Sequence, residues 1–268
     1  MSDECIHGFV DGLCATCNPK PVAEVAVATR PAARSRVAPP PRATVRSLRA
    51  AARVPVGSAP ADTLLEQRIY HVTHVTNLAG MRERRAIVTD AVPALDISPA
   101  QLRSERAEIS VPGIPDATIA GFVPFFLSPD SALWQSLKAG LDHPRLSANA
   151  RRADPLEFVF LVTTVRHVVS SERAFLIADR NVEATSARFA TTRIDAEHML
   201  HRLRSDSDGS QLIDAELLVE ASVPLESITL IGVANDRVRQ TVRDLLAGSD
   251  FTPKISVYPP WFQQAEQV

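Results

Sequence analysis

The sequence lacks the features that would place the protein in a membrane or in an export pathway. None of its apolar runs approaches the roughly 18 residues needed to cross a bilayer, and its N-terminus carries acids rather than a basic stretch followed by an apolar one. We therefore expect a soluble, cytoplasmic protein with no membrane partner. Its 268 residues are 45% hydrophobic and 22% charged, which provides for one large core or two smaller ones and excludes a disordered or fibrous chain.

A glycine-rich phosphate loop is also missing, and strand-like and helix-like segments do not alternate in regular βαβ order. Both absences disfavour a doubly wound parallel sheet. The apolar patterns instead predict an α+β domain over residues 61–268. Strands are predicted at 68–75, 121–127, 157–169, 211–219 and 228–233, and helices at 77–85, 100–108, 131–138, 195–204 and 235–247.

Basic charge is concentrated in one short segment, although the net charge of the whole chain is only -2. Residues 19–60 hold eight prolines, eight bases and a single acid, with no aromatic residue to anchor a core. This composition predicts a disordered linker. The linker is either a solvated spacer or a tether whose arginines contact nucleic-acid phosphates without reading sequence.

All three cysteines lie within the first 17 residues. Cys5 and His7 are followed by the pair Cys14 and Cys17, which gives four ligands of the types that tetrahedral zinc prefers. Residues 1–18 therefore form a candidate zinc module of the knuckle type, in which metal binding would supply the folding energy. The alternatives are a redox-active cysteine pair and ordinary cytosolic thiols.

Two polar positions stand out within the predicted strands. His71 lies in a strand with several other ring and hydroxyl side chains, and Glu216 lies in a strand that is otherwise apolar. A carboxylate at a buried position must be paired, hydrogen-bonded or functional, because burying an unpaired charge costs several kcal/mol. Each residue is therefore either a site residue or a structural one, with an ion pair inside the domain as the structural explanation for Glu216.

The order of five short motifs resembles the DarT-type ADP-ribosyltransferases, which modify nucleic acid as toxins of toxin–antitoxin systems. The motifs are IYHVTHVTNL at 69–78, GFVPFFLSP at 121–129, FLIADRN at 175–181 with ARF at 187–189, DAELLV at 214–219 and VPLESI at 223–228. The resemblance runs from about residue 68 to residue 258. It implies an ADP-ribosyltransferase-like split sheet with flanking helices, which binds NAD and transfers ADP-ribose to a base in single-stranded DNA.

The resemblance also implies roles for individual residues. Glu216 matches the catalytic glutamate, and Arg106 matches a site arginine, with Arg103 as the second choice. The start of the family pattern implies that His71, Thr73 and Asn77 contact NAD. A cognate macrodomain antitoxin is the implied protein partner.

One position departs from the family pattern: Asp130 stands where the family usually has an arginine. This departure leaves open which base is modified and whether the nucleic acid is DNA or RNA. One alternative is an ADP-ribosyltransferase that acts on RNA or protein. A further alternative is a zinc-containing nucleic-acid-binding protein whose transferase-like domain is degenerate.

Overall fold

The computed structural model describes residues 64–169, 173–205 and 210–263. The predicted zinc module and linker lie outside the described residues. The described part is an α+β structure, as the sequence predicts, and most of its strands belong to one large sheet.

Ten strands are described, of which eight form the large sheet in the order β10-β9-β4-β1-β3-β7-β5-β6. The strands are β1 (Arg68–His74), β2 (Ala86–Val88), β3 (Phe122–Phe126), β4 (Phe158–Thr164), β5 (Phe175–Ala178), β6 (Phe189–Ala190), β7 (Glu216–Glu220), β8 (Ser222–Pro224), β9 (Leu230–Val233) and β10 (Lys254–Val257). Neighbours in the large sheet are antiparallel except for β9 and β10, and β2 pairs with β8 in a small second sheet.

Eight α-helices flank these sheets in the described part of the chain. They are α1 (Leu78–Arg84), α2 (Ala100–Glu108), α3 (Ala132–Lys138), α4 (Ala148–Arg152), α5 (Val165–Val168), α6 (Arg193–Arg204), α7 (Ser210–Asp214) and α8 (Asp236–Leu246). Several begin at polar side chains that accept from the first turn, such as Ser131 before α3 and Asn235 before α8. None of the described helices is both long enough and apolar enough to span a bilayer.

The large sheet is split between its two central strands. All seven residues of β1 pair with β4, whereas β1 pairs with β3 only at Tyr70 and Phe126. The side chain of His71 crosses the split, where its Nδ1 lies 2.9 Å from the carbonyl oxygen of Pro124. The N–H and C=O of a strand residue point to the same side, so proline at 124 removes a donor on the side facing β1. The missing donor favours separation of the two strands.

Apolar side chains cover both faces of the sheet. One face carries an aliphatic cluster that includes residues of α6 and α8. The other carries an aromatic cluster around Trp134 and Phe160. In that cluster Trp261 packs directly on Gly232 of β9, where a Cβ would lie 2.5 Å from the indole. The two clusters hold both halves of the split sheet in place.

Two predicted strands are shorter in the structure than the sequence indicated. The segment 211–219 is divided into α7 and β7, and the segment 157–169 is divided into β4 and α5. In neither segment does the spacing of the apolar residues separate strand from helix. Glu216 is consequently the first residue of a strand rather than its middle.

Candidate active site

The split between β1 and β3 opens into a cavity of about 590 Å³. Every predicted site residue of the transferase domain lines it: His71, Thr73, Asn77, Arg106 and Glu216. The second-choice Arg103 lines it as well. Pockets of 300–1,000 Å³ are typical of small-molecule and cofactor sites. The structure thus brings residues from distant parts of the chain to one site.

Glu216 belongs to the lining of this cavity and is fully buried. Strand pairing places it between Phe126 of β3 and Ala178 of β5. Its Oε1 accepts a short hydrogen bond from Nη2 of Arg145. Its Oε2 lies 3.6 Å from Nη2 of Arg106 and accepts no hydrogen bond from any described residue. One carboxylate oxygen is therefore left to accept from a ligand.

Glu216 is one member of a cluster of four charges that we call the charge square: Arg106, Arg145, Glu183 and Glu216. Nε of Arg106 donates to Oε1 of Glu183 at 2.5 Å, and Nε of Arg145 lies 3.4 Å from Oε2 of Glu183. The two arginines and Glu183 have side chains that are 11–12% exposed. Positive and negative groups alternate around the square, so its net charge is zero.

The surrounding charges keep Arg145 protonated. Burial by itself lowers the pKa of its guanidinium, but the attraction of Glu216 and Glu183 and the hydrogen bond to Glu216 outweigh burial, so the pKa is raised. Arg103 is arranged differently, because it pairs with Asp96 and its side chain is 52% exposed. Of the two arginines named from sequence, Arg106 is the one that lies beside Glu216.

His71 is held in one orientation at the edge of the cavity. A carbonyl can only accept, so the bond to Pro124 requires a proton on Nδ1. Burial lowers the pKa of His71, partly opposed by that bond, and the ring is neutral at pH 7. Neutral His71 with a proton on Nδ1 presents Nε2 as an acceptor.

Thr73 and Asn77 line the cavity but already bond to protein groups. Nδ2 of Asn77 donates to Oγ1 of Thr73 at 2.9 Å and to the carbonyl of Leu95 at 2.8 Å, and its Oδ1 accepts from the amide of Leu95. Asn77 thereby fixes the irregular segment 90–97, which we call the strap. Ser147 holds the end of the strap through the carbonyls of Asp96 and Ile97.

The comparison with known families agrees with this geometry. The sequence model described as "ssDNA thymidine ADP-ribosyltransferase, DarT" matches residues 70–263. The chain belongs to the DarT family. The prediction of this family is confirmed, and with it the predicted enzyme class, an NAD-dependent DNA ADP-ribosyltransferase.

Individual DarT relatives are distant in sequence. A DNA ADP-ribosyl transferase of Thermus aquaticus is 23% identical over 192 residues, which cover 67% of this chain and 80% of the relative. The structure of Thermus sp. 2.9 DarT in complex with ADP-ribosylated ssDNA matches with a TM-score of 0.61 at 20% identity, covering 74% of this chain and 97% of that one. The same DarT in complex with NAD+ gives a TM-score of 0.57 at 22% identity, covering 74% and 98%. These structures share the fold.

Two residues of the charge square were missed by sequence reasoning, namely Arg145 and Glu183. Arg145 comes from the loop between α3 and α4, and Glu183 comes from the loop between β5 and β6. Neither loop has a hydrophobic periodicity, and arginine and glutamate are common surface residues. Nothing in the sequence therefore marks Arg145 and Glu183 as buried. The motif FLIADRN, which ends two residues before Glu183, was the nearest available signal.

Two other predictions concern residues outside the cavity. Asp130, the departure from the DarT pattern, is exposed and bonds to Gln135, so it adds no negative charge to the lining. The four predicted zinc ligands lie outside the described residues. Within the described ranges, no group of three or more His, Cys, Asp or Glu side chains is arranged to hold a metal.

Proposed function

We propose that the protein transfers ADP-ribose from NAD to a thymine base in single-stranded DNA. The observation that carries the proposal is the buried Glu216, which lines a cavity of cofactor size and whose Oε2 has no hydrogen-bond partner among the described residues. The description of the DarT family supports the acceptor, and complexes of Thermus sp. 2.9 DarT with NAD+ and with ADP-ribosylated ssDNA support both substrates.

The chemistry explains why an anion is needed at this position. Cleavage of the bond between ribose C1′ and nicotinamide leaves positive charge on C1′ and on the ring oxygen, as in glycoside hydrolysis. A fixed carboxylate stabilises that charge as it develops. In the proposed reaction Glu216 holds a hydroxyl of the nicotinamide ribose through Oε2. The acceptor nitrogen then bonds to C1′ and loses its proton, which Glu216 is placed to receive.

Other residues of the lining would bind the two substrates. His71 offers Nε2 to a hydroxyl of NAD, and the hydroxyl of Thr73 can still donate its own proton. Arg106 is placed to bind phosphate or to stabilise the acceptor base as it loses its proton. We propose these roles from the matches to the family pattern and from the position of the three residues in the cavity lining.

The rest of the chain is assigned by the same proposal. Residues 1–18 would form the zinc module, residues 19–60 an arginine-rich linker that contacts phosphates, and residues 61–268 the transferase domain. We further propose that the protein is the toxin of a toxin–antitoxin pair with a macrodomain antitoxin. A DarTG structure of Thermosipho africanus in complex with ADP-ribose, 14% identical with a TM-score of 0.54, supports only the shared fold; this chain spans about half of that one.

The experiment is intact-mass analysis of oligonucleotides incubated with the full chain and NAD. Single-stranded DNAs that differ only in one central base are compared with the matching RNA containing uracil. We expect an ADP-ribose adduct only on the DNA with a central thymine. An adduct on RNA alone would favour the RNA-modifying alternative, and NAD binding without any adduct would favour the degenerate binding protein.

A further inference from the structure

Glu183 is the member of the charge square that does not face the cavity. It is absent from the cavity lining, whereas the other three members belong to it. Glu183 nevertheless contacts both arginines that contact Glu216, at 2.5 Å to Arg106 and 3.4 Å to Arg145. Glu183 therefore touches the two arginines of the lining without itself lining the cavity.

The loop that carries Glu183 is itself fixed. The amide of Glu183 donates to Oδ1 of Asn181 at 3.2 Å, and neighbouring Val182 is buried in an apolar cluster. Asp179 closes the loop by accepting from the amide of Arg188. The carboxylate of Glu183 is thus held in place before any substrate binds.

The four contacts of the charge square differ in length, and the differences determine which oxygens of Glu216 are hydrogen-bonded. Each arginine makes one close hydrogen bond, Arg106 to Glu183 and Arg145 to Glu216. The two remaining edges are 3.4 and 3.6 Å long, and the buried atoms Oε2 of Glu183, Oε2 of Glu216 and Nε of Arg145 form no hydrogen bond with described residues. Arg106 is thus hydrogen-bonded to Glu183 and not to Glu216.

We propose that Glu183 is a positioning residue that keeps Glu216 available for catalysis, an inference that rests on the proposed function. Without the charge of Glu183, two buried arginines would face one carboxylate. Arginine forms strong paired hydrogen bonds with carboxylates, so both would turn to Glu216 and occupy its two oxygens. The oxygen that accepts the ribose hydroxyl would then be lost, although the cavity that binds NAD would remain.

The test compares Glu183→Gln and Glu183→Asp with the wild-type full chain, using transfer to a thymine-containing single-stranded DNA. We expect Glu183→Gln to lower kcat roughly tenfold or more, as loss of a supporting partner commonly does, and to change KM for NAD by less than about threefold. Glu183→Asp keeps the negative charge on a shorter side chain, so its kcat should lie between the kcat of the wild type and that of Glu183→Gln. Rates are expressed per folded protein from circular dichroism.

Glu157→Gln is the matched control. Glu157 is likewise paired with two basic side chains, Arg237 at 3.1 Å and His74 at 3.6 Å, but none of the three residues lines the cavity. We expect this control to leave kcat per folded protein unchanged. The proposal would be overturned if Glu183→Asp or Glu183→Gln had the kcat of the wild type per folded protein. If Glu183→Gln does not fold, the kcat of Glu183→Asp is the deciding measurement. Absence of transfer by the wild type would overturn the proposed function instead, and the inference with it.

Discussion

At the scale of single residues, the site depends on which atoms are already bonded before a substrate arrives. His71 is the clearest example, because its bond to Pro124 leaves only Nε2 for a ligand. In Glu216 one carboxylate oxygen is hydrogen-bonded to Arg145, and the other accepts no hydrogen bond from any described residue. Roles can therefore be assigned to atoms rather than to whole side chains.

Replacement of His71 by alanine should weaken NAD binding. The variant loses one hydrogen-bond acceptor in the cavity, and a net contribution of about 0.5–1.5 kcal/mol corresponds to a roughly three- to tenfold higher Kd. Calorimetry with NAD measures this change. Unchanged affinity in a folded variant would mean that His71 is structural.

The protonation of His71 should make stability depend on pH. Burial lowers its pKa in the folded state below the value near 6.5 of an unfolded chain. Its contribution to stability is therefore complete above about pH 6.5 and is lost as the pH falls below that value. Burial also lowers the pKa of His74 and His143, so the wild type must be compared with His71→Gln. Thermal unfolding at successive pH values should show that His71→Gln loses less stability at acid pH than the wild type does. Equal losses of stability would contradict the assignment of this pH dependence to His71.

At the scale of elements, the strap and the split sheet both contribute to the lining of the cavity. The strap is held to the core mainly by Asn77, whose amide bonds to both backbone groups of Leu95. The split is favoured by Pro124, which removes a donor from β3 on the side of β1. In each case a single residue shapes the cavity: Asn77 fixes the strap, and Pro124 favours separation of β1 and β3.

Asn77→Ala should release the strap. Two hydrogen bonds to Leu95 disappear, which removes about 1–3 kcal/mol of local stability and should weaken NAD binding because part of the lining is no longer fixed. Hydrogen exchange of residues 90–97 and calorimetry measure the two effects. Asn235→Ala is the control, since Asn235 caps α8 outside the cavity lining and its loss should lower stability without changing NAD affinity.

Strands and helices could be predicted where the sequence shows a hydrophobic periodicity or a helix-capping residue. The alternation in β1 and the spacing of Leu78 and Met81 in α1 gave both elements to within a residue of their observed bounds. The short strands β2, β5, β6, β8 and β10 were not predicted as elements, because two to four residues contain too little of a pattern. The division of 211–219 into α7 and β7 depends on tertiary contacts that a local pattern does not contain.

At the scale of the whole molecule, the charge square joins four distant segments of the chain. The family resemblance led to Glu216 and Arg106, which the structure places 3.6 Å apart by their nearest charged atoms. Arg145 and Glu183 could not be found in this way, because their burial follows from how two irregular loops fold over the sheet. Local sequence carries no information about which loops meet.

The N-terminal cysteines give a prediction for the chain as a whole. One zinc ion per chain should be bound by Cys5, His7, Cys14 and Cys17, and metal analysis of protein purified without chelator measures it. A zinc ion with four protein ligands has no position for substrate, so deletion of residues 1–18 should leave NAD cleavage intact. Protein purified in this way without zinc would contradict the prediction.

The most direct test of the account is transfer by Glu216→Gln compared with the wild type on the same thymine-containing single-stranded DNA. The amide keeps the shape of the side chain but removes the anion, so we predict that the transfer rate falls by a factor of roughly 100 or more while the fold and NAD binding are retained. Intact-mass analysis of the DNA over time measures the rate, and calorimetry measures NAD binding. A folded variant that transfers ADP-ribose at nearly the wild-type rate would contradict the assignment of Glu216 as the catalytic anion.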